Sequence, residues 1–408
     1  MKLALIKTVA VASLLLCQDC HTASVAEKFN VRELTLPAVG VNQQHHLTHT
    51  ADGKLILSWV ETRGSKNTVR FAVYDNAAWL PMQTVISTDS KLADPPVVQG
   101  LSDGTLAAAW MLAVKNDKDP YAADIYLAHS KDGGQTWTAP IKPYGEQARI
   151  YDAQMSLAPL PDAGLALVWT DSRHVIHDDS KSASKKTSRH QLMATVLNKD
   201  WQAGKEITLD DDVCSCCSTY TDVRDSELVT VYRDHLKGEV RDISAVRWNR
   251  NGAVQATPVH DDHWVINGCP SNGPSVDLSG QQTVVAWFTA GDGKGRVRVS
   301  FSAGGDKFKS PIEVDDQAIG YANALLLDDG SALVSWRHNA GPEEELMVAR
   351  VTAGGEVHDR TTVYRGSFAR WPSKYLGIEK IGNEVFIAWT DPIKKKVRLA
   401  VVAMTAKD

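Results

Sequence analysis

The stretch Leu165-Ala166-Leu167-Val168-Trp169 is an apolar run that closes on an aromatic residue and passes into the polar Thr170-Asp171-Ser172. Alone it reads as one buried strand. Six further stretches repeat it: Leu55–Trp59, Leu106–Trp110, Leu228–Tyr232, Val284–Phe288 with Trp287 as its aromatic, Ala332–Trp336 and Val385–Trp389. Successive aromatics lie 49 to 63 residues apart, the spacing of propeller blades. Asp52-Gly53, Asp103-Gly104, Asp329-Gly330 and Gly382-Asn383 precede copies of the run and supply the positive φ of tight hairpins.

Outward from each copy the alternation becomes strict, as in Val69-Arg70-Phe71-Ala72-Val73 and Val297-Arg298-Val299-Ser300-Phe301. Period two with β-branched residues marks a third strand, and no helical period persists. A more polar fourth strand is expected at Trp79 to Ile86, Trp137 to Ile141 and Phe308 to Val314. The last copy lacks one, because the chain ends at Asp408. Phe29 to Leu36 precedes the first copy and has no blade of its own, so it is assigned as the outer strand of the seventh. The fold class is all-β, a seven-bladed β-propeller closed by its N-terminal strand, which leaves no free sheet edge to recruit other chains. Two sandwiches would not explain the regular interval.

At the N-terminus, Lys2 and Lys7 precede a short apolar run from Thr8 to Cys17, and Ser24-Val25-Ala26 offers a small-x-small cleavage site. The expectation is a signal peptide over 1–26, export to the periplasm or medium, and a single propeller domain over 27–408. A formal net charge of −5 with no basic stripe argues against a nucleic-acid partner. No second apolar segment has transmembrane length.

Ser130-Lys131-Asp132-Gly133-Gly134-Gln135-Thr136-Trp137 matches the Asp box, Ser-x-Asp-x-Gly-x-Thr-Trp, and Ser302 to Phe308 looks like a decayed copy. The chain thus resembles the sialidase superfamily of Asp-box (BNR-repeat) propellers. In that family the box is a structural hairpin, the ring has six blades, and three arginines hold the substrate carboxylate. A tyrosine activated by a glutamate attacks, and an aspartate is the acid/base. A six-bladed sialidase-like ring is the alternative that the resemblance implies. Gln43-Gln44-His45-His46-Leu47 stands where the family's first arginine would lie. Arg233 resembles the second arginine, and Arg337 or Arg370 the third.

In a propeller the segments leading into the innermost strands converge at one end of the axis. Here they carry His45-His46, Asp94-Pro95, Tyr151-Asp152, Cys214 to Cys217, Cys269, Tyr321 and Arg370-Trp371, flanked by Arg63, Arg173, Arg233, Arg241, Arg337 and His338. Glycoside hydrolysis needs two carboxyl groups, or a carboxyl and a phenol. Asp94, Asp152 and Tyr321 are the catalytic candidates, with Asp171, Tyr151 and Tyr375 also at that end. Arg173, Arg233, Arg241, Arg337 and Arg370 are the candidate clamp for an anionic glycan or another small anion, because guanidinium groups bind carboxylates in bidentate fashion. The insertion His174 to His190 reads as a loop over this end, a candidate lid.

Cys214, Cys216, Cys217 and Cys269 are the cysteines beyond the signal. They allow three disulfide pairings, of which Cys216–Cys269 with Cys214–Cys217 is favoured; a vicinal Cys216–Cys217 bond is strained. Closely spaced thiolates with His45 and His46 would instead suit copper(I) or zinc, and Cys-x-x-Cys is also a redox element. Two functional expectations follow. The first is an exported sialidase-like propeller, with no required cofactor, that binds or cleaves an anionic glycan. The second is a non-enzymatic metal- or thiol-handling propeller.

Overall fold

The computed structural model describes residues 29–115, 120–175, 189–253, 256–304, 307–368 and 376–403, apart from the side chains of 151–154. The signal segment, Arg370, Tyr375 and most of the 174–190 insertion lie outside these residues. Every regular element described is a strand.

The strands form seven antiparallel blades. Blade one runs Val41–His49, Leu55–Arg63, Lys66–Asp75 and, outermost, Gln83–Thr88. Blades four, five and six repeat this order, with inner strands Tyr220–Arg224, Ser275–Ser279 and Ala318–Leu326. Blade seven holds Gly377–Ile381, Glu384–Asp391 and Lys396–Ala403, and Asn30–Leu34 pairs with its last strand from Asn30↔Ala403 to Leu34↔Leu399. The N-terminal closure is as expected, and Glu33 pairs with Arg398 across the seam.

Blade two departs from expectation. Its fourth strand shrinks to a single bridge, Leu127↔Ile141, beside the Ser130–Trp137 turn. The third strand, Ala122–Ser130, instead pairs at its start with Ile150 and Tyr151 of blade three, so the two blades share one seven-stranded sheet. In the turn itself, Ser130 Oγ bonds Asp132, the backbone N–H of Thr136 donates to Asp132, and Trp137 meets Phe71 of blade one edge-on at 6.0 Å.

The repeated aromatics are the core of the ring. Trp59, Trp110, Trp169, Tyr232, Trp287, Trp336 and Trp389 are none of them more than 2 % exposed. A blade's second strand is covered on both faces by neighbouring blades, hence its unbroken apolar run. Three of these aromatics also tie blades together. Tyr232 donates to Asp210 of blade three, Trp287 Nε1 to Asp262 after blade four's outer strand (2.6 Å), and Trp336 Nε1 to Asp315 of blade five.

The inner strands carry a second set of ties. The N–H of Leu278 donates to Asp222 at 2.7 Å, that of Leu326 to Asp277 at 2.6 Å, and His49 meets Glu379 at 3.4 Å. Asp222, Asp277 and Glu379 each occupy the third position of an inner strand and reach the next blade round the ring. Burial, together with the neighbouring Asp277 carboxyl, raises Asp222 to about 7, and burial raises Asp277 to about 6.

Candidate functional site at the propeller axis

Three inner strands are irregular at the same end of the axis. Pairing shifts between Gln43 and His46 in blade one, between Ile150 and Met155 in blade three, and between Gly320 and Asn323 in blade six. Gln44 and Tyr321 take φ of 55°, which non-glycine residues adopt only when their surroundings hold them there. Bulges of this kind re-aim side chains and cluster beside functional sites. Here they surround a cavity of about 110 Å³ at the axis, lined by His45, His46, Asp94, Gln99, Ser156, Tyr220, Tyr321 and Asn323 among others.

Asp94 and Tyr321, two of the three catalytic candidates, therefore share one cavity. Asp152 lies on the bulged inner strand of blade three, and its side chain is outside the described residues. His45 and His46 join the lining; His45 Nδ1 meets Thr390 Oγ1 at 3.0 Å, and burial lowers His46 to about 4, so it is neutral at physiological pH. Tyr220, Asn323 and Gln99 were not singled out from the sequence. They are ordinary strand residues until the ring closes and turns them to the axis.

The described arginines are held mainly by the protein itself. Arg233 is 1 % exposed and donates to three backbone carbonyls, those of Asn272 (2.9 Å), Arg241 and Phe288 (2.7 Å). It clips blade four to blade five, and the expected anion clamp is at this position a structural bolt. Arg173 binds Asp171 and Glu206 at 2.7 and 2.8 Å, and Arg241 binds Glu239 at 2.6 Å. Asp171, fully buried, also accepts from Trp169, so both Arg173 and its partner serve the local packing. None of these three arginines lines the cavity. Arg337 does not line it either and pairs with Glu344, but its guanidinium stacks over the cavity-lining Tyr321 at 4.5 Å.

The cysteines lie at the same end, in the segments that lead into the inner strands of blades four and five. Cys216 and Cys269 are bonded, with Cα atoms 5.9 Å apart, as the sequence favoured. Cys214 and Cys217 are not bonded, contrary to the second expected bridge; their sulfurs stand 3.5 Å apart as thiols. Cys214, Cys216 and Cys217 form the one group of three or more possible metal ligands found among the described residues, and neither His45 nor His46 belongs to it. The hydrogen bond between Cys214 and Cys217 lowers the Cys214 thiol to about 6, helped by the charge of Arg233, whereas burial raises Cys217. The two cysteine segments approach closely because Gly273 has no side chain: a Cβ there would stand 2.0 Å from the Ser218 carbonyl oxygen.

Fold and site together define a seven-bladed β-propeller with an axial cavity at the end where its inner strands begin. No protein-family model and no curated protein matches the sequence. Among solved structures, a protein of unknown function from Dyadobacter fermentans is similar at 14 % identity, over 92 % of this chain and 99 % of that one, with a TM-score of 0.50. The GH93 α-L-arabinofuranosidase of Fusarium graminearum is similar at 14 % identity over 76 % of this chain and 91 % of that one, with a TM-score of 0.49. A mutant of Trypanosoma rangeli sialidase displaying trans-sialidase activity matches at 10 % identity over 76 % and 53 %, with a TM-score of 0.42. At such identities the likeness concerns the fold.

Proposed function

We propose that this is an exported propeller that binds the terminal residue of a glycan in its axial cavity. The observation that carries the reading is the convergence of three bulged inner strands on one small cavity that holds Asp94, Tyr321, His45 and His46. The tyrosines Tyr220 and Tyr321 line it with aromatic surface suited to a sugar ring, and Asp94, Asn323 and Gln99 add polar groups suited to its hydroxyls. Asp94 and Tyr321 are the carboxyl and phenol that would carry hydrolysis. Preference for an anionic sugar rests, among the described arginines, on Arg337 beside Tyr321.

Titration calorimetry and product analysis with a panel of neutral, uronic and sialic glycosides test this. Binding that weakens at least tenfold in Asp94→Asn and Tyr321→Phe, at unchanged melting temperature, supports it. A panel with neither binding nor turnover rejects it.

A further inference from the structure

Outside the cavity, the four cysteines are arranged in two layers. The Cys216–Cys269 disulfide faces outward, with Cys269 exposed, and the Cys214/Cys217 dithiol is buried behind it. One sulfur connects the layers. Cys214 Sγ lies 3.5 Å from Cys216 Sγ and 3.5 Å from Cys217 Sγ. A structural disulfide has no use for a thiol in contact with it, because such a thiol can open it. We propose that the four cysteines form a thiol–disulfide relay, which passes two electrons between the buried dithiol and the outer disulfide and exchanges them at the surface with an external disulfide or thiol.

The chemistry closes without any further reagent. The Cys214 thiolate attacks Cys216 Sγ, the Cys216–Cys269 bond breaks, and Cys269 leaves as a thiolate that takes up a proton from solvent. Cys217 then attacks Cys214 Sγ, and its proton passes to Cys216, which is expelled as the leaving group. The buried pair has lost two electrons and its two protons; the outer pair has gained two of each. Arg233 is anchored under this loop by three carbonyls, and its fixed positive charge favours the thiolate form of Cys214. Cys214 is also held in place by its own N–H, which donates to the Arg233 carbonyl at 3.0 Å. The exposed Cys269 is the sulfur that an outside thiol or disulfide can reach. This reading is independent of the glycan site.

The test uses the mature protein, with glutathione disulfide as the external probe, acid quenching, alkylation and peptide mapping by mass spectrometry. In reduced Cys269→Ser, glutathione added to Cys216 should be displaced, leaving a Cys214–Cys216 or Cys214–Cys217 disulfide. Adding Cys214→Ala should make the Cys216 adduct persist at least tenfold longer. Persistence of the adduct with Cys214 present would overturn the relay. Should the variants fail to fold, the wild-type protein decides. Reduced and given one equivalent of glutathione disulfide, it should yield Cys214-linked peptides as well as Cys216–Cys269. Mapping that finds Cys216–Cys269 alone at every time point, or stoichiometric zinc or copper held by four reduced cysteines in anaerobically purified protein, overturns it.

Discussion

Arg233 of blade four donates through Nη2 to the backbone carbonyl of Phe288 in blade five, 2.7 Å away, while its Nε reaches the carbonyl of Asn272 in the segment between those blades. The guanidinium also lies over the Trp264 ring at 4.8 Å. A fully buried cation is tolerated here because carbonyl oxygens and a π face replace its water. The same contacts bring Cys214 and Cys217 toward Cys269 by holding the two leading segments together.

Arg233→Ala should therefore act on the seam and not on the cavity. Three carbonyls would be left without their donor and a void would open, a loss of about 3 kcal/mol or more. Chemical denaturation checks it; a loss below about 1 kcal/mol would show the bolt to be dispensable.

Closure of the ring at blade seven makes a second prediction. Asn30–Leu34 covers the edge of Lys396–Ala403, and Phe29 and Leu34 are buried on either side of it. A chain that begins at Pro37 would leave the facing N–H and C=O groups unpaired and two core positions empty. It should aggregate, or melt well below a chain that begins at Glu27. Equal melting of the two in calorimetry would count against this closure.

The buried carboxyls of the inner ring make stability fall with rising pH. Asp222 and Asp277 hold their protons up to about 7 and about 6 when folded, against 3.8 when unfolded. Between those values the folded state binds more protons, so the contribution is complete below about pH 4 and lost as pH rises through about 7. His46 has the opposite sign: lowered from 6.5 to about 4, it costs stability as pH falls through that range. Asp222→Asn keeps an oxygen for the Leu278 N–H and removes the charge. Its melting temperature should therefore fall less than that of wild type between pH 5 and pH 8. A parallel fall in both would refute the assignment.

The seven-blade architecture was legible because its signal is local and repeated. An apolar run ending at Trp169 or Trp336 reports only that a strand is covered on both faces, and seven such reports at blade spacing leave few alternatives. The closing strand was legible for a related reason, since one blade lacked an outer strand and one strand lacked a blade. The Cys216–Cys269 bond was legible because two segments one repeat apart meet at one end of the ring.

What depended on the tertiary structure is the direction in which side chains point. The inner strands of blades one, three and six are bulged, and a bulge shifts the face that each residue presents, so whether Tyr321 or His46 turns to the axis cannot follow from alternation. Arg233 looks the same in sequence as a ligand-binding arginine. It becomes a bolt because the carbonyls of Asn272 and Phe288, 39 and 55 residues further along, come within hydrogen-bond reach only when blades four and five pack. Asp222 and Asp277 likewise read as ordinary strand acids. Their raised proton affinity comes from burial against the next blade, a property of the closed ring and of no single repeat.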